Sequence, residues 1–330
     1  MCTALTLQTA QKENFFGRSM DFSYAIDPSM YALCAGYRWS NMLGNVQFTN
    51  DYSFLGIGQE LDGKITFADG VNEKGFAAAT LYFPGYAHYG TVTKEAPKAQ
   101  IAALEVASYL LGKCSCVGDV REALSRVEIV SVPDPLTKTV APLHWIMTDR
   151  SGKCLVAEQT EKGLDLWDNT IGVLTNSPDF KWHMANLRNY MNAAPQQREE
   201  VLWGQTPLRP FGNASGTDSL PGGYTPPARF VRTAYQKSFV PVPGSREEAI
   251  LTCFHIMEGV SIPKGVVVTS RGTVDYTRYV AFMNTATCEY FFKTYDNNGI
   301  LMARLPQDMK KGSAPVCLGK LKRPLVFQPM

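Results

Sequence analysis

The chain has 330 residues, of which 45% are hydrophobic and 19% charged, and its formal net charge at pH 7 is +2. These values are typical of a globular protein and exclude collagenous, coiled-coil and wholly disordered chains. Because 32 basic residues nearly balance 30 acidic ones and no lysine or arginine run is longer than a pair, we expect neither nucleic acid nor an anionic membrane as a partner.

The sequence also lacks the signals of export and of metal or nucleotide binding. No uncharged apolar stretch reaches the roughly 18 to 20 residues of a membrane span, and the N-terminus has no secretory signal pattern, so we predict a cytoplasmic protein. Eight cysteines in a chain of this length are too dilute for a disulfide scaffold. The four histidines form no metal-ligand pair and no P-loop occurs; we therefore expect neither a metal site nor nucleotide binding.

Taken in chain order, the elements begin with strands. Thr3, Leu5 and Leu7 alternate with smaller residues, and a second strand pattern over 15–20 follows a polar turn, which predicts an N-terminal hairpin. Later strand patterns cover 75–83, 143–148, 154–159, 172–175, 266–269, 273–283, 288–295 and 300–305. Helical patterns cover 99–111, 117–127, 179–191, 229–238 and 245–257. This order predicts layered sheets with helices on the outside.

The segment 195–227 is rich in proline and glycine and has neither helical nor strand periodicity. A domain boundary there would leave only a short, strand-rich remainder, so we predict one domain over 1–330. Within it, we predict an assembly excursion at about 186–223.

Cys2 is the residue that stands out chemically. Removal of Met1 would give Cys2 a free α-amine beside its own thiol. An α-amine titrates near pH 8 when unperturbed, so it can serve as the base for a neighbouring nucleophile at neutral pH. The strand alternation places Cys2 on the face of small residues, which leaves room beside the sulfur.

Arg18 and Asp21, on the second strand of the hairpin, are candidates for the charged surroundings of that thiol. Residues three apart on a regular strand face opposite sides, so this interpretation requires a bulge or strand end near Met20. The alternative is that Cys2 is an ordinary small residue and that Arg18 and Asp21 form a surface ion pair.

Six motifs follow one another along the chain: Met1-Cys2-Thr3, Gly17-Arg18-Ser19-Met20-Asp21-Phe22, Asn72-Glu73-Lys74-Gly75, Tyr82-Phe83-Pro84-Gly85-Tyr86, Thr175-Asn176-Ser177-Pro178-Asp179-Phe180 and Tyr224-Thr225-Pro226-Pro227-Ala228-Arg229-Phe230-Val231-Arg232. In their order and spacing they resemble the choloylglycine hydrolase family, which contains penicillin V acylases and conjugated bile salt hydrolases. The resemblance implies an α+β fold, a four-layer αββα sandwich of two antiparallel sheets. It also implies an N-terminal nucleophile hydrolase that cleaves a non-peptide carboxamide without a cofactor, assembled as a homotetramer.

The same resemblance implies roles for individual residues. Cys2 resembles the nucleophile, and its freed amine the base. Arg18 and Asp21 resemble the pair that flanks this cysteine. Asn176 matches the asparagine that lines the oxyanion hole, together with the backbone N–H of Tyr82, and Arg229 matches the second arginine of the family's site.

Position 82 separates the two branches of the family. Bile salt hydrolases typically have asparagine there, whereas this chain has Tyr82, as penicillin V acylases do. The resemblance therefore favours a penicillin V acylase, which releases 6-aminopenicillanic acid, with Phe22, Tyr24 and Tyr31 as further candidates for an acyl pocket. A conjugated bile salt hydrolase, an N-acyl-homoserine lactone acylase and a non-catalytic small-molecule binder remain alternatives.

Overall fold

The structure, a computed structural model, describes residues 1–61 and 63–327. The strands are β1 (Cys2–Gln8), β2 (Asn14–Phe22), β3 (Ser29–Leu33), β4 (Arg38–Ser40), β5 (Gln47–Thr49), β6 (Phe54–Leu61), β7 (Lys64–Phe67), β8 (Asp69–Asn72), β9 (Ala77–Tyr82), β10 (Ala99–Ala102), β11 (Val127–Val130), β12 (Leu143–Thr148), β13 (Cys154–Thr160), β14 (Gly163–Asp168), β15 (Val173–Leu174), β16 (Val201–Trp203), β17 (Thr206–Leu208), β18 (Tyr276–Asn284), β19 (Glu289–Thr294), β20 (Asn297–Ala303) and β21 (Val316–Lys320). The α-helices are α1 (Val106–Lys113), α2 (Val120–Ser125), α3 (Phe180–Asn186), α4 (Pro226–Phe239) and α5 (Arg246–Glu258).

The N-terminal hairpin forms as its alternation predicts. β1 and β2 pair in antiparallel fashion from Cys2 opposite Met20 to Gln8 opposite Asn14. Gly17 lets β2 lie close to β18, because a Cβ atom there would fall 2.0 Å from the carbonyl oxygen of Ala281. The hairpin is buried on both faces, which places Cys2 inside the molecule.

Two antiparallel sheets stack face to face. The first has the strand order β15-β1-β2-β18-β19-β20. The second has the order β14-β13-β12-β9-β8-β6-β3-β21, and β7 pairs with β6. β1 and β2 of the first sheet contact β9 of the second, so the start of β1 and the end of β9 lie between the sheets.

Helices cover both outer faces. α4 and α5 pack on β1, and α5 also packs on β2 and β18, whereas α1 packs on β8 and β9. One apolar core lies around the first sheet and a second lies between the second sheet and α1 and α2. The arrangement is the expected four-layer αββα sandwich.

Helix α5, predicted over 245–257, begins at Arg246 and is capped by Ser245. The hydroxyl of Ser245 accepts a hydrogen bond from the backbone N–H of Glu248 at 3.1 Å. In a capping box the Glu248 carboxylate would accept a hydrogen bond from the backbone N–H of Ser245. Here it accepts from the backbone N–H of Gly244, one residue earlier.

The sequence prediction missed β3 to β8, β11, β14 and β21. Three further segments differ from it in kind. Residues 266–269 are not a strand: Val266 and Val268 are exposed, so strand propensity there is not supported by burial. The helix predicted over 99–111 begins instead as β10, which pairs in parallel with β11. The excursion contains a hairpin of β16 and β17 that its irregular composition did not indicate.

Candidate active site

Cys2 is the first residue of β1 and is 4% exposed. The Nη2 atom of Arg18 donates to its Sγ atom at 2.7 Å. The backbone N–H of Cys2 donates to Oδ1 of Asn176 at 2.8 Å. The sulfur therefore faces a cation, and the nitrogen that becomes the α-amine when Met1 is removed faces an amide oxygen.

Arg18 is fully buried and is held by acceptors from both sheets. Its Nε donates to the carbonyl of Ser19 at 2.8 Å, and its Nη1 lies 3.4 Å from Oδ2 of Asp69. Burial alone would lower the pKa of Arg18, but the adjacent negative groups, Cys2 foremost, raise it above the ordinary value. Arg18 is therefore a permanent positive charge beside the sulfur.

Asp69 is a member of this cluster that the sequence analysis missed. It accepts hydrogen bonds from the hydroxyl of Tyr279, at 2.8 Å, and from that of Tyr290. Burial raises its pKa, whereas Arg18 and the two tyrosines oppose the rise. No local pattern singles out Asp69, because it meets Arg18 only where the two sheets stack.

Asp21 is also buried, and the irregularity required near Met20 lies in the neighbouring strand. The register between β18 and β2 shifts between Thr277 and Tyr279, opposite Asp21 and Met20. Asp21 accepts from the hydroxyl of Thr277 at 2.6 Å. Its backbone carbonyl accepts from the Met1 amine.

Asn176 and Arg229 connect the cysteine to the rest of the site. Nη2 of Arg229 donates to Oδ1 of Asn176 at 2.6 Å, and Nη1 of Arg229 donates to the carbonyl of Cys2 and lies 3.8 Å from Oδ2 of Asp21. Nδ2 of Asn176 donates to the carbonyl of Tyr82 at 2.7 Å. The structure thus brings together six of the residues singled out from the sequence: Cys2, Arg18, Asp21, Asn176, Tyr82 and Arg229.

Tyr82 ends β9, and its backbone N–H faces away from β12. Along β9 the N–H of Thr80 donates to Ala68, on the β8 side, whereas the N–H of Phe83 donates to Pro142, on the β12 side. N–H groups point to alternate sides along a strand, so the N–H of Tyr82 points to the same side as that of Thr80. It therefore lies beyond Ala68, where the hydrogen-bonded pairing of β9 with β8 has ended.

The Tyr82 ring packs against the second apolar core, and Tyr24 lies near it. Burial raises the pKa of this half-buried phenol, and Arg271 and Tyr24 are near enough to influence it. Arg271 lies over the Tyr24 ring, 4.8 Å from its centroid, and Tyr24 packs against Phe22 with centroids 5.2 Å apart. Tyr31 is a buried member of the second core, against which Tyr82 also packs.

Two buried histidines hold the backbone around Asn176, and the sequence analysis considered them only as metal ligands. Nε2 of His144 lies 3.0 Å from the carbonyl oxygen of Thr175, and Nε2 of His183 lies 2.7 Å from that of Asn176. They come from β12 and α3. Their sequence separation gives no sign that they meet.

Over residues 1–61 and 63–327, no three histidine, cysteine, aspartate or glutamate side chains group as ligands for a metal ion. Across the same residues, no helix has the length and apolar character needed to cross a membrane.

Comparison with known proteins decides the family. Residues 2–315 match the family model of linear amide C–N hydrolases, choloylglycine hydrolase family. The chain belongs to this family. It is therefore a linear amide C–N hydrolase, as the six motifs indicated.

Individual relatives carry different names. A bile salt hydrolase/transferase of Clostridium perfringens is 36% identical over 300 residues, which are 91% of each chain. The crystal structure of a mutant conjugated bile acid hydrolase from the same species has a TM-score of 0.91 at 33% identity, covering 100% of this chain and 99% of that one. A penicillin V acylase of Pectobacterium atrosepticum is 25% identical over 297 residues, 84% of this chain and 73% of that protein.

The buried state of His183 predicts a pH dependence of stability. Burial lowers its pKa to about 4, against an ordinary value of about 6.5. Between these values the unfolded chain binds a proton that the folded chain does not, so the free energy of unfolding falls as pH falls, by up to about 1.4 kcal/mol per pH unit.

Replacement of His183 by glutamine, which does not titrate, is expected to flatten this dependence. Melting temperatures measured between pH 7 and pH 4.5 would show it, with the exposed His255→Gln as the matched control. Equal slopes for the wild type and His183→Gln would show that His183 is not the titrating group.

Proposed function

We propose that Cys2, after removal of Met1, is the nucleophile that cleaves the amide. The thiol proton passes to the α-amine, and the sulfur attacks the substrate carbonyl. The amine then returns the proton to the leaving nitrogen, and water hydrolyses the resulting thioester. The observation that carries this proposal is the paired contact of Cys2, with Arg18 at its sulfur and Asn176 at its nitrogen.

The charged neighbours have separate roles in this mechanism. Arg18 stabilises the thiolate, because a fixed cation at hydrogen-bond distance favours the negative sulfur. Arg229 binds the carbonyl of Cys2 and orients Asn176. Asp21 compensates the charge of Arg229 and accepts hydrogen bonds at the end of β2.

The oxyanion of the tetrahedral intermediate requires donors that are already in place. The Nδ2 atom of Asn176 and the backbone N–H of Tyr82 are the two we assign. In the free site Nδ2 donates to the Tyr82 carbonyl, so its position is fixed before substrate arrives. Each such donor is worth roughly 3 to 4 kcal/mol in other oxyanion holes.

For the acyl group, the ring of Tyr82 and its aromatic neighbours support penicillin V as the substrate. A phenoxyacetyl group is flat and aromatic, and such rings pack well edge-to-face or offset against tyrosine. The second candidate is a conjugated bile salt, which is favoured by the 36% identity to a bile salt hydrolase/transferase. The two substrates share the amide chemistry and differ in the shape of the acyl group.

The nucleophile is tested by Cys2→Ala. We expect this variant to lose all turnover at an unchanged melting temperature, and Cys2→Ser to retain far less activity than the wild type, because a hydroxyl ionises less readily than a thiol. The exposed Cys317→Ala is the matched control. Intact mass should show a chain lacking one methionine. Turnover by Cys2→Ala, or by a chain that retains Met1, would contradict the mechanism.

Substrate preference is tested at Tyr82. The wild type should have a higher kcat/KM for penicillin V than for glycine- or taurine-conjugated bile salts or for an N-acyl-homoserine lactone. Tyr82→Asn should shift the ratio by about tenfold toward bile salts, whereas Tyr82→Phe, which keeps the ring, should preserve it. A wild type that prefers bile salts would keep the mechanism and favour the second candidate.

We further propose that the chain is one domain that assembles as a homotetramer through its excursion. β16 and β17 pair with each other in a separate two-stranded sheet. Val201, Leu202 and Trp203 are more than half exposed, and Phe211 is fully exposed. A short hairpin with such a surface is stabilised when a second copy covers it.

Light scattering tests this assembly. We expect four times the chain mass of 36.5 kDa. Trp203→Ser should lower the measured mass, because it removes apolar area from the interface, whereas the exposed Val242→Ser, outside the excursion, should not. A monomeric wild type would contradict the proposal.

A further inference from the structure

The backbone on both sides of Asn176 is fixed by two buried imidazole rings. Nε2 of His144 faces the carbonyl oxygen of Thr175, and Nε2 of His183 faces that of Asn176 itself, at 3.0 and 2.7 Å. A carbonyl oxygen only accepts, so each Nε2 carries the hydrogen. The two hydrogen bonds therefore hold the peptide groups immediately before and after the Asn176 side chain.

Each ring is also stacked on a phenylalanine beside another site residue. The His144 ring lies on Phe83, with centroids 4.3 Å apart and planes 8° apart, and Phe83 follows Tyr82. The His183 ring lies on Phe230, at 4.5 Å and 11°, and Phe230 follows Arg229. The two histidines thus connect the Asn176 segment to the end of β9 and to the first turn of α4.

The far edge of the His144 ring is linked to the helix that carries His183. Nδ1 of His144 lies 3.1 Å from Oε1 of Glu158, and the same carboxylate accepts from the backbone N–H of Phe180, at the start of α3, at 3.0 Å. By contrast, Nδ1 of His183 is buried without a hydrogen-bond partner among the described residues. The His183 ring therefore has one side-chain hydrogen bond among the described residues, from Nε2, beside its stack on Phe230 and an edge contact with Trp182.

We propose that His144 and His183 are positioning residues for the reaction, which act through Asn176 and not on the substrate. The direction of a Cα–Cβ bond is set by the two peptide planes that flank it, and these histidines fix both planes at Asn176. They thereby aim the Nδ2 donor at the place where the oxyanion forms. The inference rests on the proposed role of Asn176 as an oxyanion donor.

Such aiming is needed because a hydrogen bond weakens steeply with misalignment. A catalytic donor must be held within about 0.5 Å and 10 to 20° of its working geometry. A side chain that is displaced by about 1 Å can lower the rate about 100-fold.

The test is a double-mutant cycle between His183 and Asn176. His183→Phe keeps an aromatic ring on Phe230 but removes the donor. We expect it to lower kcat about 10- to 100-fold with KM changed less than about twofold, because the lost interaction serves the transition state. In the Asn176→Ala background the same change should have almost no further effect.

Rescue by a conservative variant separates positioning from simple structural support. The Nε2 atom of glutamine is as many bonds from Cα as that of histidine, so His183→Gln should regain most of the kcat lost in His183→Phe. If His183→Phe folds poorly, judged by its melting temperature, His183→Met provides a second donor-free variant with an adaptable side chain. His255→Gln is the control for loss of an exposed histidine.

Alkylation of Cys2 by iodoacetamide reports on the nucleophile independently of turnover. Its rate should be the same in the wild type and in His183→Phe. The inference would be overturned if the kcat losses of His183→Phe and Asn176→Ala multiplied in the double variant. It would also be overturned if His183→Phe changed only KM, or if His183→Gln did not restore kcat. If Asn176→Ala lowers kcat and His183→Phe does not, only the positioning role fails. If Asn176→Ala keeps full kcat, the proposed oxyanion donor fails as well.

Discussion

The site depends on two guanidinium groups that are completely buried between the layers of the fold. Burial of these two charges is possible only because hydrogen-bond acceptors surround them. Asp69 and Cys2 surround Arg18, and Asp21 and Asn176 surround Arg229. Removal of the carboxylate of Asp69 or Asp21 would leave a buried arginine with an uncompensated charge, which is strongly destabilising. The same contacts that compensate these charges place a cation at the sulfur of Cys2.

The stacking of the sheets explains why the components meet. The hairpin of β1 and β2, in the first sheet, carries Cys2, Arg18 and Asp21. In the second sheet, β8 carries Asp69 and β9 carries Tyr82. Asn176 follows β15, which pairs with β1. Membership of the family establishes amide hydrolysis, whereas we propose that the acyl group is selected at the end of β9. Substrate can therefore change there without changing the hydrolytic chemistry.

The sequence predicted elements well where periodicity and burial agree. The N-terminal hairpin, the strand at 143–148 and the start of α5 at Ser245 follow from alternation or from a capping residue. The strand predicted at 266–269 was wrong because its valines are exposed, and 99–102 became a strand because β11 supplies a parallel partner. At 99–102 a distant strand provided a partner, and at 266–269 no packing partner among the described residues covers the exposed valines. In both cases tertiary contacts outweighed local propensity.

For the site, the sequence by itself determined the six candidate residues, because a cysteine after the initiator methionine and five further motifs lie in one order along the chain. Only the tertiary structure decided how they are held. Asp69 reaches Arg18 because two sheets stack, and His144 and His183 reach the carbonyls around Asn176 from a strand and a helix. Such contacts join residues that are far apart in sequence, and hydrogen bonds to backbone carbonyls leave no pattern in the side chains along the chain.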